Sequence, residues 1–321
     1  MRVKEAVLAE LLAHREQSLS GEELASALSV SRSAVWKAIS RLRSEGYAIE
    51  AGPNRGYRLT GGDVLSREAV RSYLHSPCDV HVYGSVGSTN TLLKAWAEDG
   101  CQEGTVAIAE EQTGGRGRRG RSFFSPRGTG LYMSVLLRPQ QRAEAALQIT
   151  TCAAVAVAEA IEALSGREAQ IKWVNDVFLD GKKVCGILTE ASLDVETGSL
   201  RYAILGIGIN VLPPAEGYPE DLEDVAGSVF SRCELSDLRS RLAAAVLDRF
   251  FACYHELGSE ECFEAYKRRL LVLGKRVTVL SGGCAVAEAE VLALNRDYSL
   301  LVRYEDGLCA NLSTGEVSVH P

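Results

Sequence analysis

Residues 112–121 constrain this chain more than any other stretch, because four arginines alternate there with four glycines. Glycine allows a positive φ and a close approach of the backbone to a ligand, while arginine keeps a planar fork of charged donors at any working pH. The segments on either side, residues 105–109 and 131–137, have the apolar composition of buried strands. The run is therefore predicted to be an ordered loop between two strands that binds phosphate or carboxylate.

Three other interpretations fit parts of this run. Residues 115–120 match G-x-G-x-x-G, but a dinucleotide fingerprint opens a helix, and residues 122–126 give no helix start. A disordered tail rich in arginine and glycine that binds RNA is the second interpretation, and the flanking strands argue against it. A solvated charged loop without a ligand is the third, and the sequence leaves it open.

Length and composition predict a folded chain of two or three domains, since 321 residues with 46% hydrophobic content can bury sizeable cores. The net charge of −7 argues against a protein coated with basic surface, so any nucleic-acid contact has to come from a local patch. Residues 1–62 carry nine Lys and Arg against seven Asp and Glu, which makes the N-terminal part slightly basic.

The nine cysteines are odd in number and scattered, and no two form a C-x-x-C pair. Their spacing therefore indicates neither a disulfide framework nor a zinc site. The first amphipathic stretch contains Glu5 and Glu10, and the chain has no uninterrupted apolar run of membrane length. We therefore expect no signal peptide, no transmembrane helix, no membrane partner and a cytoplasmic location.

The N-terminal part follows the helix-turn-helix pattern. Residues 4–15 have apolar side chains on one helical face, Ser20 and Glu23 form a capping box that opens a second helix, and residues 31–44 form a third helix. A β-hairpin follows the third helix. This order resembles the winged helix-turn-helix family of DNA-binding domains and covers residues 1–62.

The third helix has a polar face that suits phosphate and base-edge contacts in a major groove. Side chains on this face and at the hairpin tip are the predicted DNA contacts: Arg32, Ser33, Trp36, Lys37 and Arg55. The same face also carries Ser40, Arg41 and Arg43. A solvated charged face and a protein-interaction module are alternatives that the sequence leaves open.

Polar residues interrupt an apolar segment at residues 171–179, which otherwise has the composition of one buried strand: Lys172, Asn175 and Asp176. Residues 180–181, Asp-Gly, predict a hairpin that returns through Lys183 towards the same cleft. Buried charges are costly without partners. The segment therefore predicts either a structural ion-pair network or a cleft for a nucleotide, a carboxylate and magnesium.

Two further segments predict parts of the same cleft. Residues 88–90, Ser-Thr-Asn, lie at a strand-to-helix turn, where they either cap the helix or contact a ligand. In the apolar strand over residues 202–211, Gly206 and Gly208 leave room for a ligand or a neighbouring backbone.

Five motifs together carry a specific resemblance: GRGRRGR at 115–121, STN at 88–90, KWVND at 172–176, GKKVCGIL at 181–188 and GIGIN at 206–210. With the winged helix in front, the chain resembles the bifunctional bacterial biotin protein ligases, which are also biotin operon repressors. The resemblance covers nearly the whole chain, and the combination of the arginine and glycine motif with the lysine hairpin is highly specific.

The resemblance implies an α+β protein of three domains. These are a winged helix-turn-helix over residues 1–62, a catalytic domain with a mixed, class II synthetase-like sheet over residues 65–270, and a small SH3-like β-barrel over residues 271–321. The alternation of helices and hairpins in the central part and the short strands of the last part fit this division independently.

The resemblance also implies a two-step reaction. Biotin and ATP give biotinyl-5'-AMP and pyrophosphate, and biotin is then transferred to one lysine of the biotin carboxyl carrier domain of acetyl-CoA carboxylase. The implied cofactors are ATP and Mg²⁺. The implied partners are the biotin carboxyl carrier protein, operator DNA of biotin genes and, with biotinyl-AMP bound, a second copy of the chain.

The resemblance assigns ligand contacts motif by motif. The implied biotin contacts are Ser88, Thr89, Asn90, Gln112, Arg116, Gly117, Arg118, Lys183 and Gly186. The implied ATP or adenylate contacts are Arg118, Arg119, Arg121, Lys172, Asn175, Asp176 and Asn210. Arg118 and Lys183 are the expected catalytic groups, because cations lower the repulsion between a carboxylate and a triphosphate. Magnesium is expected on the phosphates, with Asp176 as its protein contributor.

Two departures from the family pattern stand out. Val174 occupies a position where proline is common, and Ser122-Phe123 occupies one where a basic residue and tryptophan are frequent. Two alternatives stay open: a lipoate protein ligase, which shares the fold but differs in the arginine and glycine segment, and a transcription regulator that senses biotin without catalysis. Buried lysines argue against the regulator, since an unused site has no reason to keep them.

Overall fold

The N-terminal part has the helix order that the sequence predicts. The computed structural model describes residues 3–52, 56–139, 145–193, 199–233, 235–281, 284–313 and 316–319. Its first elements are three helices and a hairpin: α1 (Val3–Ala13), α2 (Gly21–Ala27), α3 (Arg32–Ser44), β1 (Ala48–Gly52) and β2 (Gly56–Gly61).

A capping box starts α2, as predicted. The Glu23 N–H donates to Ser20 Oγ at 3.1 Å, and the Ser20 N–H donates to Glu23 Oε2 at 2.6 Å. The apolar stripes of the helices then meet in a core of their own, which includes Val7, Leu11, Val35, Ile39 and Leu42. Burial of this stripe leaves the polar face of α3 at the surface.

Arg43, which the sequence places on the polar face of α3, has a structural partner. Its Nε and Nη2 donate to the carbonyl oxygen of Ile49 at 2.9 and 2.6 Å. The guanidinium therefore ties the end of α3 to β1. These hydrogen bonds position the hairpin, and they distinguish Arg43 from Arg32 and Lys37, the exposed cations of the same helix.

The central part is built on one mixed sheet. Its elements are α4 (Arg67–Arg71), β3 (Asp79–Tyr83), α5 (Thr89–Glu98), β4 (Thr105–Ala109), β5 (Gly130–Leu137), α6 (Ala145–Ser165), β6 (Gln170–Lys172), β7 (Asp176–Leu179), β8 (Lys182–Leu193), β9 (Leu200–Asn210), α7 (Leu238–His255) and α8 (Glu260–Arg268). The strand order is β3-β4-β5-β9-β8-β7-β6. Only the β3–β4 pair is parallel among the described strands, so the predicted mixed sheet is confirmed.

Helices cover both faces of this sheet, which is why β4 and β5 are buried at every position. Leu93 of α5 packs on Leu136 and Ile204 on one face. On the other face, α6 and α7 bury the alternate side chains of the same strands, among them Leu205, Ile207 and Ile209. The apolar side chains of α5 thus cover only part of this face of the sheet. The beginning of α5 lies next to the part of the face that they leave open.

The prediction of one strand over residues 171–179 is wrong. The segment forms two antiparallel strands, β6 and β7, in which Lys172 lies opposite Asp176. Trp173 and Val174 are buried at the turn between them. The reversal separates the two kinds of side chain, because the apolar pair enters the core while the polar residues meet at one edge.

The helix α6 contains a 20-residue segment, Ala146–Ser165, that is long and apolar enough to cross a membrane by length and composition. In this structure 67% of the most apolar 18-residue stretch of this segment is buried inside the protein. Its alanines pack against the sheet and against α7. The helix thus serves as the central core element of the part built on the mixed sheet.

The C-terminal part is a five-stranded antiparallel sheet. Its strands are β10 (Arg276–Ser281), β11 (Cys284–Leu294), β12 (Leu300–Tyr304), β13 (Cys309–Leu312) and β14 (Glu316–Val319), in the order β13-β12-β11-β10-β14. The predicted short strands are confirmed, and they pair antiparallel. Within the described residues β13 and β14 are edge strands, so closure into a barrel is not observed. The sheet shares its core with the central part, and Trp173 Nε1 donates to the Tyr298 carbonyl at 2.8 Å.

An ionic junction joins the N-terminal part to the central part. Arg239 of α7 is 3% exposed. Its Nε lies 2.7 Å from Asp63 Oδ2, in the linker, and its Nη1 lies 2.6 Å from Glu110 Oε2, at the end of β4. Beside it, Arg15 at the end of the first helical segment pairs with the buried Asp237. The linker is thus fixed to the strand that leads into residues 112–121.

Candidate active site

One cavity of about 350 Å³ lies on the α5 side of the sheet, between the beginning of α5, strands β8 and β9, and residues 112–126. All the predicted biotin and nucleotide contacts except Arg119 line it: Ser88, Thr89, Asn90, Gln112, Arg116, Gly117, Arg118, Arg121, Lys172, Asn175, Asp176, Lys183, Gly186 and Asn210. Five segments that are distant in sequence therefore converge as expected.

Strand alternation explains the floor of this cavity. Leu205, Ile207 and Ile209 of β9 face the helical core, so Gly206 and Gly208 between them face the cavity. Gly208 is the register partner of Gly186, so the two glycines lie side by side on neighbouring strands. The result is a flat strip without side chains, which only such paired glycines can produce.

Two side chains rest on this strip. A Cβ atom at Gly206 would lie 2.3 Å from Asn90 Oδ1, and one at Gly208 would lie 2.5 Å from the Phe123 ring. The sequence predicts room for a ligand or a backbone at these glycines, and the structure shows that side chains use it. Phe123 itself was not among the predicted contacts. The sequence feature that could have indicated a flat group at this place is the pair Gly186 and Gly208.

Asn90 is held by a buried network. The side chain is 5% exposed. Its Nδ2 donates to Glu190 Oε2 at 2.8 Å, and its Oδ1 lies 2.6 Å from the Ser134 hydroxyl. The same hydroxyl lies 2.7 Å from Thr89 Oγ1. Glu190 and Ser134 were not predicted, because nothing in their local sequence separates them from other strand residues.

The beginning of α5 joins the cavity to the arginine and glycine loop. Ser88 caps α5 by accepting the Thr91 N–H at 3.5 Å. The N–H and Oγ1 of Thr89 donate to Gln112 Oε1 at 2.9 and 3.1 Å. Ser88 therefore caps the helix, and Ser88, Thr89 and Asn90 also line the cavity. Their contact with a ligand stays a prediction.

The arginines of the loop point in different directions. Arg116 reaches Glu190 at 2.6 Å, and Arg118 Nη1 donates to Asn175 Oδ1 at 2.8 Å. Arg119 has φ +57° and an exposed side chain, and it lies outside the cavity lining. Arg121 is exposed at the cavity rim. Arg119 and the following Gly120 both have a positive φ, so the chain turns here and Arg118 and Arg119 point in different directions.

Lys183 forms the central charge pair of the cavity. Its Nζ lies 2.7 Å from Asp176 Oδ2, with the two side chains 29% and 23% exposed. Asn175 Nδ2 donates to Asp176 Oδ1 at 3.1 Å and to the Ile187 carbonyl at 2.9 Å. The hairpin β7–β8 thus brings Lys183 and Asp176 into one cleft, as the sequence predicts.

A second wall was not predicted from the sequence. It comes from the segment after β9 and from the C-terminal sheet: Tyr218, Leu222, Val225, Ala226 and Leu280. The Lys183 N–H donates to the Val225 carbonyl at 2.8 Å, which fixes this segment to β8. Residues 212–225 form turns and irregular backbone, and no motif in the sequence marked them as part of a site.

The polar face of α3 is at the surface. Arg32, Ser33, Trp36 and Lys37 are all exposed, and Trp36 keeps 61% of its surface accessible. An exposed tryptophan between cations is suited to contact with the phosphates and bases of a nucleic acid. Arg55, the predicted contact at the hairpin tip, lies outside the described residues.

Comparison with known proteins agrees with this arrangement. The profile of the Biotin/lipoate A/B protein ligase family matches residues 83–210, and that of an HTH domain matches residues 3–58. The bifunctional ligase/repressor BirA of Bacillus spizizenii is 38% identical over 260 residues, which cover 80% of this chain and 75% of that protein. The BirA of Salmonella typhimurium is 29% identical over 307 residues, covering 94% and 92%.

A solved structure gives the same result for the fold. The biotin protein ligase from Aquifex aeolicus, in complex with biotin and ATP, superposes with a TM-score of 0.63 at 30% sequence identity. The match covers 75% of this chain and 98% of that chain. With an N-terminal helix-turn-helix in front of this fold and a relative of 38% identity, the chain belongs to the family of bifunctional biotin ligase/repressors.

Proposed function

We propose that this chain activates biotin with ATP to biotinyl-5'-AMP and transfers biotin to a lysine of the biotin carboxyl carrier domain of acetyl-CoA carboxylase. The observation that carries the proposal is the convergence of Lys183, Arg118 and Lys172 on one cavity with a glycine floor. A small acid and a triphosphate both carry negative charge, so a site that joins them needs such cations. The closed apolar floor suits the ring system of the acid.

In the activation step the carboxylate oxygen of biotin attacks the α-phosphorus of ATP, and the bond to pyrophosphate breaks. Lys183 is the proposed partner of the carboxylate, because its ammonium already binds one carboxylate, that of Asp176. Arg118 is the proposed partner of the phosphorus oxygens, since its guanidinium is 2.8 Å from Asn175 at the same edge. No protein nucleophile is required.

The two ligands have separate proposed subsites. Biotin would lie along the glycine strip after the Phe123 ring has swung away from it, contacting Ser88, Thr89, Asn90, Gln112, Arg116, Gly117, Arg118, Lys183 and Gly186. The nucleotide would lie at the edge formed by β6, β7 and the end of β9, contacting Arg118, Arg121, Lys172, Asn175, Asp176 and Asn210. Arg119 remains a proposed nucleotide contact that requires the loop to turn.

Magnesium is proposed to accompany ATP, held mainly by the phosphates. The donor set of the cavity fits this binding mode, because Asp176 supplies one carboxylate at the nucleotide edge and magnesium prefers one or two carboxylates plus phosphate oxygens. Both oxygens of Asp176 are hydrogen-bonded, to Lys183 and Asn175. Coordination would therefore require Lys183 to turn towards the biotin carboxylate. The ion would supply charge neutralisation on the phosphates.

We also propose the finer architecture. The division into residues 1–62, 65–270 and 271–321 is supported by the separate N-terminal core and by the change from helices to short strands near residue 271. A class II synthetase-like assignment of the central sheet is supported by its mixed strand order. An SH3-like barrel is supported by the five short antiparallel strands of the C-terminal part.

The DNA-binding part is proposed to act on the operator of biotin genes. Arg32, Ser33, Trp36 and Lys37 are its proposed contacts on α3, with Arg55 on the hairpin. We further propose that biotinyl-AMP promotes a homodimer and that the protein works in the cytoplasm without a membrane partner. Sedimentation that gives the same oligomer with and without biotinyl-AMP would contradict the dimer.

Carrier labelling tests the ligase function. The chain is incubated with Mg²⁺, ATP and a biotin carboxyl carrier domain, together with radiolabelled biotin, lipoate or octanoate. Of the three acids, we expect only biotin to give labelled adenylate and labelled carrier. Labelling by lipoate or octanoate would identify a lipoate-type ligase, and biotin binding without adenylate would identify a non-catalytic sensor.

A further inference from the structure

Three cysteines from three helices meet outside the catalytic cavity. Cys152 lies in α6, Cys253 in α7 and Cys262 in α8, and their Sγ atoms all lie within 4.8 Å of one another. Cys152 and Cys262 are buried, and Cys253 is half-buried. Because the fold, and no short motif, brings them together, their spacing in the sequence gives no sign of the cluster.

The spacing of the three sulfurs suits a bound metal ion. Metal–thiolate bonds of about 2.3 Å around one ion place the sulfurs about 4 Å apart. Sulfurs that are already within 4.8 Å can reach this geometry by side-chain rotation alone. Thiolate ligands select soft ions of the Zn²⁺ and Cu⁺ kind over Mg²⁺ and Ca²⁺. Cys253, which is half-buried, is the most exposed of the three cysteines.

The cluster also differs electrostatically from the isolated buried cysteines of this chain. Burial raises the pKa of Cys78 to about 11 and also raises that of Cys185. In the cluster, hydrogen bonding among the three thiols lowers the pKa of Cys253 and raises the pKa values of Cys152 and Cys262. Thiolate is the form that binds metals, so the thiols have to lose their protons on binding.

The surroundings connect this cluster to the ligase cavity. Tyr298, at the turn between β11 and β12, is 2% exposed and lies beside Cys152 and Cys262, and burial followed by the neighbouring Cys262 raises its pKa. The carbonyl oxygen of Tyr298 accepts the Trp173 Nε1–H at 2.8 Å. Trp173 lines the cavity. Tyr298 therefore links the cysteine cluster to Trp173, which lies in the turn next to Asn175 and Asp176.

We propose that Cys152, Cys253 and Cys262 form a binding site for a soft d¹⁰ metal ion, which joins α6, α7 and α8. Each thiol that binds the ion releases its proton to solvent, so binding weakens as the pH falls. The site uses no residue of the proposed ligase chemistry. Its occupancy and the ligase activity are therefore measured separately.

Titration with Cd²⁺ tests the site. The full chain carries Cys233→Ser and Cys309→Ser, which remove two exposed thiols, and is kept reduced without added thiols. We expect an ultraviolet thiolate-to-cadmium band that saturates at one equivalent. Cys152→Ala should lower this band by about one third, because one of three thiolates is lost, and should weaken Cd²⁺ binding at least about tenfold. Cys78→Ala, outside the cluster, is the control and should change neither.

Two further measurements keep the result interpretable. Cys152→Ala adds one more alanine to an alanine-rich helix, and circular dichroism checks that this variant folds. Cys253→Ala, at the half-buried position, should give the same loss of the cadmium band. Saturating Cd²⁺ should raise the Tm of the parent chain and leave that of Cys152→Ala unchanged. A band that is unaffected by both cluster substitutions, or the absence of a saturable band, would overturn the site. Adenylate formation is assayed in parallel, and its failure leaves this result unaffected.

Discussion

At the scale of single residues, the cavity is an array of cations that already have partners. Lys183 contacts Asp176, Arg118 contacts Asn175 and Arg116 contacts Glu190. These partners offset the cost of holding charge in a partly buried place. A ligand carboxylate therefore competes with Asp176 for Lys183, and its binding exchanges one charge-assisted hydrogen bond for another.

The first prediction concerns this exchange. We expect Lys183→Ala to weaken biotin binding by about 2 to 5 kcal/mol, the cost of leaving one partner of a buried charged pair alone. Lys182→Ala is the matched control, because the Lys182 ammonium donates to the Asp224 carbonyl at 2.6 Å and lies outside the cavity lining. Isothermal calorimetry measures both. Equal biotin affinities for the two variants would remove Lys183 from the carboxylate site.

A second prediction compares two glycines on the cavity face of β9. Gly206→Ala should lower the free energy of unfolding by about 1 to 3 kcal/mol, as overpacking does in well-packed places, because Asn90 is hydrogen-bonded on both sides and cannot retreat. Gly208→Ala should cost less, since Phe123 belongs to a loop and its ring can swing away. Urea unfolding gives both values. A larger loss for Gly208→Ala would show that Asn90 is the more mobile neighbour.

Residue types could be predicted better than residue directions. Glycines and arginines in residues 112–121 indicated an anion site, and that loop does border the cavity. The composition could not show that Arg118 lines the cavity and Arg119 does not. That difference depends on the left-handed backbone at Arg119. Ser134 and Glu190 were missed for a related reason. Their partners come from distant segments, and no local pattern records such contacts.

At the scale of elements, α7 connects the N-terminal part to the cavity through Arg239. We expect Arg239→Met to lower the free energy of unfolding by about 3 to 5 kcal/mol, because Asp63 and Glu110 would lose the charge that both share. Arg249→Met on the same helix is the control. Its ion pair with Glu159 is longer, at 3.8 Å, and 39% exposed, so we expect a loss of about 0 to 1 kcal/mol. Equal losses in urea unfolding would contradict a special role for the junction.

A pH prediction belongs to the contact between α6 and the end of α8. Burial raises the pKa of Glu162, but hydrogen bonds from Arg269 and the Ala169 N–H outweigh it and lower the pKa below 4.5. A lowered folded-state pKa gives stability that is present above the unfolded value and lost as the pH falls through the folded one.

Glu162→Gln should therefore flatten the fall in the free energy of unfolding below pH 4.5, the ordinary value for this group. Glu168→Gln removes an exposed carboxylate from the next connection and controls for the change of charge. Urea unfolding at a series of pH values measures the slopes. If Glu162→Gln and the parent chain lose stability in parallel on acidification, the contact with Arg269 contributes nothing to the acid limb.

Most elements could be predicted because their patterns are long and regular. The capping box of α2 and the apolar stripe of α3 determine those helices locally. The segment over residues 171–179 shows the limit, because its composition is that of a strand while its chain reverses at Trp173 and Val174. Burial of these two side chains decides the reversal, and that burial depends on the C-terminal sheet.

At the scale of the whole molecule, the Arg239 junction fixes the linker between the N-terminal helix-turn-helix and the part that contains the cavity. We expect Lys37→Ala to weaken operator binding and to reduce the slope of log K against log salt by about 1, as loss of one phosphate contact does. Lys94→Ala removes the same charge from an exposed position on α5 and should leave the slope unchanged. Gel-shift titrations at several salt concentrations measure it, and unchanged slopes in both variants would place the DNA elsewhere.

The order of the three parts was predictable from the sequence, whereas the contacts between them were not. The helix-turn-helix, the alternating centre and the short final strands each have their own pattern. The Arg239 junction, the shared core beneath Trp173 and the three-cysteine cluster all join residues that are far apart in the chain. Such contacts follow from the packed arrangement, and a single sequence contains no local trace of them.

A crystal structure with a nonhydrolysable analogue of biotinyl-5'-AMP tests the central claim most directly. We expect the ring system of biotin on the strip formed by Gly186 and Gly208, in place of the Phe123 ring that now covers it. The acyl oxygen should lie within hydrogen-bond distance of Lys183 Nζ, and the phosphate mimic beside Arg118. Residues 112–121 should cover the ligand. An analogue bound elsewhere, with Lys183 still on Asp176 and the loop directed into solvent, would contradict the account.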